Sequence, residues 1–163
     1  MTTNYDPIAE LYNRSKQQPW RTHIEAFSLI ALIDDPSGKS VIDIACGEGF
    51  YTRMVRQRGA AKVTGIDLSE GMIELARKQE ETHKQGIEYV VGDARHWILA
   101  EKYDLVLAAY LLNYAHNRAE LQTMCHGITN CIKTGAASSP STRTPPWISP
   151  MLRPIESTAS RRA

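Results

Sequence analysis

Four short apolar runs alternate with stretches of helical periodicity through the middle of the chain. The apolar runs are 40–45, 62–66, 87–91 and 103–109. Short uninterrupted apolar runs bounded by turn residues are typical of parallel strands that are buried on both faces. The helical stretches are 50–58, 71–84 and 118–132. Ser69 is the expected N-cap of the second helix. The alternation predicts an α/β domain with a parallel sheet between helices.

The N-terminal region has the periodicity of a helix over residues 5–33. Its apolar side chains at helical spacing are Ile24, Phe27, Ile30, Ala31 and Ile33. Residues 34–38 contain proline and glycine and are expected to end the pattern. We predict a helical lid over residues 1–36 ahead of a core over residues 37–133.

Composition limits the classes of partner. With 163 residues, 42% of them apolar, the chain suits one globular domain. A net charge of +1 gives no broad basic surface, so we expect a small-molecule ligand and no nucleic acid. No apolar run reaches the ~18 residues of a membrane span, and no signal peptide is evident, so a cytoplasmic location is expected. Three cysteines without metal-ligand spacing predict reduced thiols and no metal site.

Glycines and acidic side chains follow the predicted strands where each strand ends. The residues at these ends are Asp43 and Ala45 to Gly49, then Asp67, Leu68 and Ser69, then Gly92, Asp93 and Ala94, and finally Ala109 to Asn113. Because the carboxyl ends of parallel strands form one edge of a sheet, we expect these residues to line a common crevice. Glu48 lies inside the glycine turn, and either solvent or a ligand is its expected contact.

The charges at this edge favour one kind of ligand. Glycines let the backbone bend sharply and approach a ligand closely. The Asp43 carboxylate disfavours a phosphate and favours an ammonium or sulfonium group. Asp67 is placed to accept hydrogen bonds from two ribose hydroxyls, and Asp93 from the exocyclic amine of adenine. The pattern predicts a nucleoside that carries a cationic tail.

This arrangement resembles the class I S-adenosylmethionine-dependent methyltransferases of the small-molecule type, which have a D-x-A-C-G-x-G turn like that at residues 43–49. The resemblance covers about residues 5–133. It implies a Rossmann-like, doubly wound parallel sheet, S-adenosyl-L-methionine as cofactor and methyl transfer to a small-molecule acceptor. The cofactor-binding residues it implies are Asp43, Ala45, Cys46, Gly47, Gly49, Asp67, Leu68, Met72, Asp93, Ala94 and Ala109.

The resemblance also implies a role for each part of this set. The 43–49 turn holds the methionine moiety and Asp67 holds the ribose. Leu68 and Met72 flank the adenine, whose edge Asp93 and Ala94 contact, while Ala109 faces the sulfonium. Ala45 stands where the family often has glycine, which requires slightly more room.

No catalytic residue is assigned. In methyl transfer the cofactor supplies the reactive group, and the protein mainly aligns the acceptor with it, so a general base is optional. His116 and His23 are the candidates for such a base.

Residues 134–163 differ in character from the rest of the chain. They are rich in proline, serine, threonine and arginine without periodicity, which predicts disorder. The family sheet has further strands here. If the last base of each codon is read with the first two of the next, synonymous codons allow residues 134–150 to encode a glycine turn and the alternating stretch RFVTVN. We therefore expect that the reading frame is lost near Lys133, and that the chain as it stands is a truncated, inactive form.

Two alternatives remain open. One is a non-catalytic remnant that still binds the cofactor. The other is a nicotinamide-dependent oxidoreductase, because Gly47, Gly49 and Asp67 partly imitate its fingerprint. Against this alternative, Thr52 occupies the position of the third glycine, and Asp43 and Glu48 would repel a pyrophosphate.

Overall fold

A computed structural model describes residues 18–33, 35–93 and 101–133 of the chain. These residues contain a four-stranded parallel sheet in the order β3-β2-β1-β4. The strands are β1 (Ser40–Ile44), β2 (Lys62–Asp67), β3 (Ile87–Val91) and β4 (Leu105–Leu107). The helices are α1 (Ala26–Ile33), α2 (Phe50–Gln57), α3 (Glu70–His83) and α4 (Arg118–Cys131). A π-helical turn at Arg21–Glu25 precedes α1, and a 3-10 turn at Leu111–Tyr114 follows β4.

The strand order reverses beside β1. The chain passes outward from β1 to β2 and β3 and then returns to pair β4 with the other side of β1, where Asp43 lies opposite Leu107. Open parallel sheets bind their ligands at such a point, outside the carboxyl ends of the strands. The turn after β1 and the residues after β4 therefore face the expected crevice.

Both faces of the sheet are covered by apolar side chains. Val41, Val63 and Tyr89 belong to a buried cluster on one face, against which α1 also packs through Leu29 and Ile33. Ile42 and Ile66 belong to a second cluster, which includes side chains of α4. Such burial on both faces explains why β1 has apolar residues at Val41, Ile42 and Ile44, which point alternately to the two faces. The predicted fold class, a doubly wound α/β sheet, is confirmed.

The predicted elements agree closely with the observed ones, with one exception. The hydroxyl of Ser69 accepts the Met72 amide at 3.2 Å, as expected of the N-cap of α3. The fourth strand is shorter than the predicted 103–109, because β4 spans only Leu105–Leu107. Tyr103 instead forms a single parallel bridge with Ile132.

The chain turns back beside β4 after α4 ends. The Tyr103 amide donates to the Cys131 carbonyl at 2.8 Å, and the Lys133 amide donates to the Tyr103 carbonyl at 2.9 Å. These bonds lie on the side of β4 that β1 does not occupy. Residues 132 and 133 thus begin to pair with the outer side of β4. The predicted tail, 134–163, lies outside the described residues, as does half of the predicted lid, residues 1–17 and 34.

The predicted apolar stripe of the N-terminal helix is right at Ile33 and wrong at Ile24, Phe27 and Ala31, which are exposed. Ile24 and Phe27 are 66% and 75% exposed. Ala26 is buried instead, and Leu29 and Ile33 pack against the core. α1 is apolar around almost its whole circumference, so its periodicity does not select one face, and packing against the sheet decides which face is buried.

No helix of the described residues is long and apolar enough to span a membrane. The cytoplasmic location stays a prediction.

Candidate functional site

The turn after β1 has an unusual backbone. Ala45, Gly47 and Gly49 all adopt left-handed conformations, with φ of 61°, 58° and 83°. Glycine does so readily, but for alanine this region costs about 1–2 kcal/mol. Two backbone bonds hold the shape, because the Cys46 amide donates to the Ile66 carbonyl at 2.9 Å and the Gly49 amide donates to the Cys46 carbonyl at 3.0 Å. The expectation that Ala45 needs only more room was incomplete, since it also bears backbone strain.

Asp43 lies beneath this turn. Its side chain is 2% exposed, and one carboxylate oxygen accepts the Thr52 hydroxyl at 2.6 Å. Thr52 belongs to α2, so this bond ties the end of β1 to the first turn of that helix. The carboxylate therefore adds a fixed negative charge under the turn. Asp43 thus supports the shape of the turn from below.

Asp67 connects three strand ends. Its Oδ2 accepts the Gly47 amide at 2.8 Å, and its Oδ1 accepts the Ser69 amide at 2.9 Å. Its carbonyl accepts the Gly92 amide at 2.8 Å, which joins the end of β3 to the end of β2. A carboxylate offers about four lone-pair sites. Asp67 can therefore bond more than one group at once, and it joins the glycine turn of β1 to the residues that begin α3.

The other predicted site residues differ in how accessible they are. Leu68 is exposed beside Asp67, whereas Met72 is only 2% exposed. Met72 can thus support the surface under a ligand but offers little area for direct contact. Asp93 follows β3 and is half-buried. Ala109 is exposed after β4, and Ala94 lies outside the described residues.

Cys46 is a packing residue at this site and not a nucleophile. It is buried among apolar side chains on the sheet face that carries Tyr89. Burial raises the pKa of its thiol well above the usual value, and the nearby carboxylates of Asp43 and Asp67 raise it further. A thiol is nucleophilic only as the thiolate, so Cys46 is inert at neutral pH.

The sequence did not reveal how the turn is supported: Arg53 and Tyr89 were missed, and the expected contact of Glu48 was wrong. Glu48 contacts neither solvent nor an open crevice, because it is 2% exposed and bonded to Arg53 at 2.6 Å. Tyr89 fills the space beside Gly49 and Gly65, at which added Cβ atoms would collide with its ring. The spacing of Glu48 and Arg53 matches no helical rule, since the turn separates them. The absence of side chains at Gly49 and Gly65 was the available signal that a bulky neighbour lies close.

The histidines and cysteines supply no second centre among the described residues. His116 bonds to the Glu120 side chain at 2.9 Å on the exposed start of α4, and His23 is exposed before α1. The three cysteines are free thiols. Within residues 18–33, 35–93 and 101–133, no group of histidine, cysteine or acidic side chains could hold a metal ion. The use of either histidine as a base stays a prediction.

Known proteins share both the sequence and the fold of this region. A family model described as a methyltransferase domain matches residues 41–135. A probable phthiotriol/phenolphthiotriol dimycocerosates methyltransferase 2 of Mycobacterium ulcerans is 33% identical over 63% of this chain and 40% of its own length. A malonyl-[acyl-carrier protein] O-methyltransferase of Acetivibrio thermocellus is 34% identical over 64% of this chain and 34% of its own length.

The fold has a similar match among solved structures. The N-methyltransferase NodS of Bradyrhizobium japonicum, in complex with S-adenosyl-L-homocysteine, superposes with a TM-score of 0.66 and 21% identity. The match covers 82% of this chain and 64% of that chain. The chain spans 34% to 50% of the length of three curated relatives that it matches.

Proposed function

The chain belongs to the methyltransferase-domain family of class I S-adenosylmethionine-dependent methyltransferases, and from that premise we propose that it forms the cofactor-binding part of an enzyme that methylates a small molecule. S-adenosyl-L-methionine, the predicted cofactor, is the cofactor of this family. The proposal for this chain concerns which residues hold that cofactor, what they do and what the acceptor is.

The bond between Asp67 and the Gly47 amide is the observation on which the cofactor site depends most. It fixes the carboxylate of β2 against the glycine turn of β1, at 2.8 Å. We propose that the Asp67 carboxylate accepts hydrogen bonds from the ribose hydroxyls of the cofactor, and that the absence of a side chain at Gly47 lets the methionine moiety approach the backbone. The exposed Leu68 is placed to cover one face of the adenine. The half-buried Asp93 supplies an acceptor for its amine.

The charges at the site suit this cofactor. When bound, S-adenosyl-L-methionine supplies an electrophilic methyl group attached to a sulfonium. The leaving group in methyl transfer is then a neutral thioether. Asp43 contributes a buried negative charge near a ligand that carries positive charge, and no proton transfer by the protein is required for the displacement itself. The residues of the site therefore bind and align. Alignment alone contributes about 7–11 kcal/mol in favourable cases.

The acceptor proposed here is a small molecule, and its methylated atom is not assigned. Support comes from the relatives, whose names specify phthiotriol derivatives and a malonyl group carried by a protein. Ala109 and Tyr110 follow β4 and are exposed, and they are proposed to face the sulfonium and the acceptor.

Calorimetry with S-adenosylhomocysteine and with NAD⁺ tests the cofactor site. We expect the full chain to bind S-adenosylhomocysteine and not NAD⁺. Asp67→Ala is expected to weaken that binding about 10- to 100-fold, because a charged acceptor of hydrogen bonds is lost. Asp104→Ala is the matched control, since Asp104 bonds Ser40 at the opposite end of β1 and should leave affinity unchanged. Binding of NAD⁺ alone, or equal losses in both variants, would overturn the assignment.

Turnover by the 163-residue chain is not expected. Only one bridge, at Tyr103, occupies the outer side of β4 in the part of the chain that the structure describes. Pairing that begins at Lys133 supports the hypothesis that a restored frame would continue a strand there. An apolar strand edge left open also favours aggregation.

The reading-frame hypothesis is tested at the DNA and by assay. Sequencing across codon 133 reveals whether an intact frame encodes residues 134–163. The chain as it stands and a frame-restored version are then compared for S-adenosylhomocysteine release in the presence of candidate acceptors. Equal turnover by the two proteins would contradict the prediction of inactivity.

A further inference from the structure

A buried ion pair lies directly under the proposed cofactor turn. Glu48 sits between the two glycines of the turn, yet its side chain is 2% exposed. Arg53, one turn into α2, binds the Glu48 carboxylate at 2.6 Å and the Glu48 carbonyl at 2.6 Å. The Arg53 amide also donates to the Gly49 carbonyl at 3.0 Å. One residue thus holds three groups of the turn.

Tyr89 closes the other side of this arrangement. Its ring is buried on β3 and occupies the space that a Cβ at Gly49 or Gly65 would fill. Its hydroxyl has no hydrogen-bond partner of normal geometry among the described residues. Burial raises the pKa of Tyr89, and the adjacent Arg53 guanidinium partly offsets that rise. Arg53 therefore bonds the Glu48 carboxylate and lies close enough to the Tyr89 hydroxyl to affect its pKa.

Stability alone is a weak reason for such a group of residues. A buried ion pair is often no more stabilising than an apolar replacement of the same volume, because both charges lose their hydration. What the pair does supply is a defined geometry. The two bonds from Arg53 to Glu48 are short and directional, and they fix a backbone segment whose left-handed residues would otherwise sample other conformations.

We propose that Arg53, bonded to Glu48 and close to Tyr89, is a positioning residue that keeps the 45–49 turn in its cofactor-receiving shape before the cofactor arrives. This inference rests on the proposed function. Without the bonds from Arg53 to Glu48, the cofactor would have to order the turn as it binds. The cost of that ordering would lower the affinity for the cofactor and would not change the chemistry of methyl transfer. The role of Arg53 is indirect, because its side chain bonds the Glu48 carbonyl and carboxylate.

Arg56 provides a matched control on the same helix. Its guanidinium also binds backbone carbonyls, those of Gln85 at 2.7 Å and of Ala60. These contacts lie at the far end of α2, by the loops that precede β2 and β3. Arg53→Met and Arg56→Met therefore remove the same kind of interaction from one helix. The first removes it beside the turn, and the second removes it away from the turn.

The experiment compares the affinity of the full-length variants for S-adenosylhomocysteine by calorimetry, at a temperature at which circular dichroism shows each to be folded. We expect Arg53→Met to weaken binding about tenfold, which is the usual effect of losing a charged hydrogen bond. Arg56→Met should change affinity less than about twofold. Arg53→Lys should recover part of the loss, because it restores the charge but not the two-pronged geometry.

A second pair of variants covers the case in which Arg53→Met does not fold. Glu48→Gln keeps the side-chain volume but weakens the bond to Arg53, so it should also lower the affinity for S-adenosylhomocysteine. Tyr89→Phe removes only a hydroxyl without a partner, so it should not lower the melting temperature. Equal affinities for the Arg53 and Arg56 variants, with Glu48→Gln also unchanged, would overturn the inference. A wild-type chain that binds no S-adenosylhomocysteine would instead refute the proposed function, on which the inference depends.

Discussion

Replacing Gly49 by alanine should destabilise the domain through two separable effects. The first is backbone strain, because Gly49 has φ of 83°. The second is a collision, because the new Cβ would lie 2.8 Å from Cε1 and Cζ of Tyr89, with the tyrosine hydroxyl nearer still. Other glycines of the chain show each effect without the other, so the magnitude of both can be measured.

Gly38 and Gly65 are the two reference positions. Gly38 has φ of 71° and nothing within 4 Å of its added Cβ, so Gly38→Ala should lose only the strain, about 1 kcal/mol. Gly65 is a strand residue without left-handed φ, and its Cβ would lie 2.8 Å from Cδ1 of Tyr89. Gly65→Ala should therefore cost about 1–3 kcal/mol from overpacking. Gly49→Ala combines both effects and should cost about 2–4 kcal/mol, which most domains survive.

Urea unfolding of the three variants measures these losses, and Tyr89→Phe tests their cause. The tyrosine hydroxyl is the atom nearest to the Cβ at position 49, whereas the Cβ at Gly65 meets the ring carbons and the Cys46 sulfur. Tyr89→Phe should therefore recover about 0.5–2 kcal/mol in the Gly49→Ala background. It should recover nothing with Gly65→Ala.

Two results would refute this reasoning. One is a loss for Gly49→Ala no larger than that for Gly38→Ala, which would mean that Tyr89 does not pack under the turn. The other is the same recovery by Tyr89→Phe at both glycines, which would mean that the hydroxyl is not the group that collides.

Three further predictions concern strain, thiol reactivity and pH. Ala45→Gly should raise the free energy of unfolding by about 0.5–1 kcal/mol, because it relieves a left-handed alanine at some entropic cost. The urea midpoint should rise accordingly, and a lowered midpoint would contradict the strain. A thiol reagent at pH 8 should label the exposed Cys125 well before Cys46, because burial raises the pKa of Cys46; mass spectrometry of the first adduct decides. Hydrogen bonds from Ser40 hold the pKa of Asp104 well below its usual value. Because that folded-state pKa is depressed, the stabilisation is present above the unfolded pKa of about 3.9 and is lost as pH falls. Asp104→Asn should therefore lose more stability at pH 7 than at pH 3, and equal losses would count against the linkage.

Local patterns determined much of the architecture. The run 87–91 coincides with β3, and Ser69 caps α3 as predicted. This agreement has a physical basis, because β-branched and aromatic residues such as those of β3 favour strands, and a helix start needs a side-chain acceptor. The rule that parallel strands share one carboxyl edge then brought Asp43 and Asp67 to the same end of the sheet.

Tertiary contacts decided which face and which partner each residue has. The inward face of α1 was unpredictable, because a helix that is apolar nearly all round gains its direction only from the sheet against which it packs. The pairing of Glu48 with Arg53 depends on how the turn folds back onto α2, and the place of Tyr89 depends on two glycines in other segments. Sequence alone thus specified the elements and the acidic edge of the sheet. The shape of the turn required the folded chain, because its supports are distant in sequence and meet only when the strands pair.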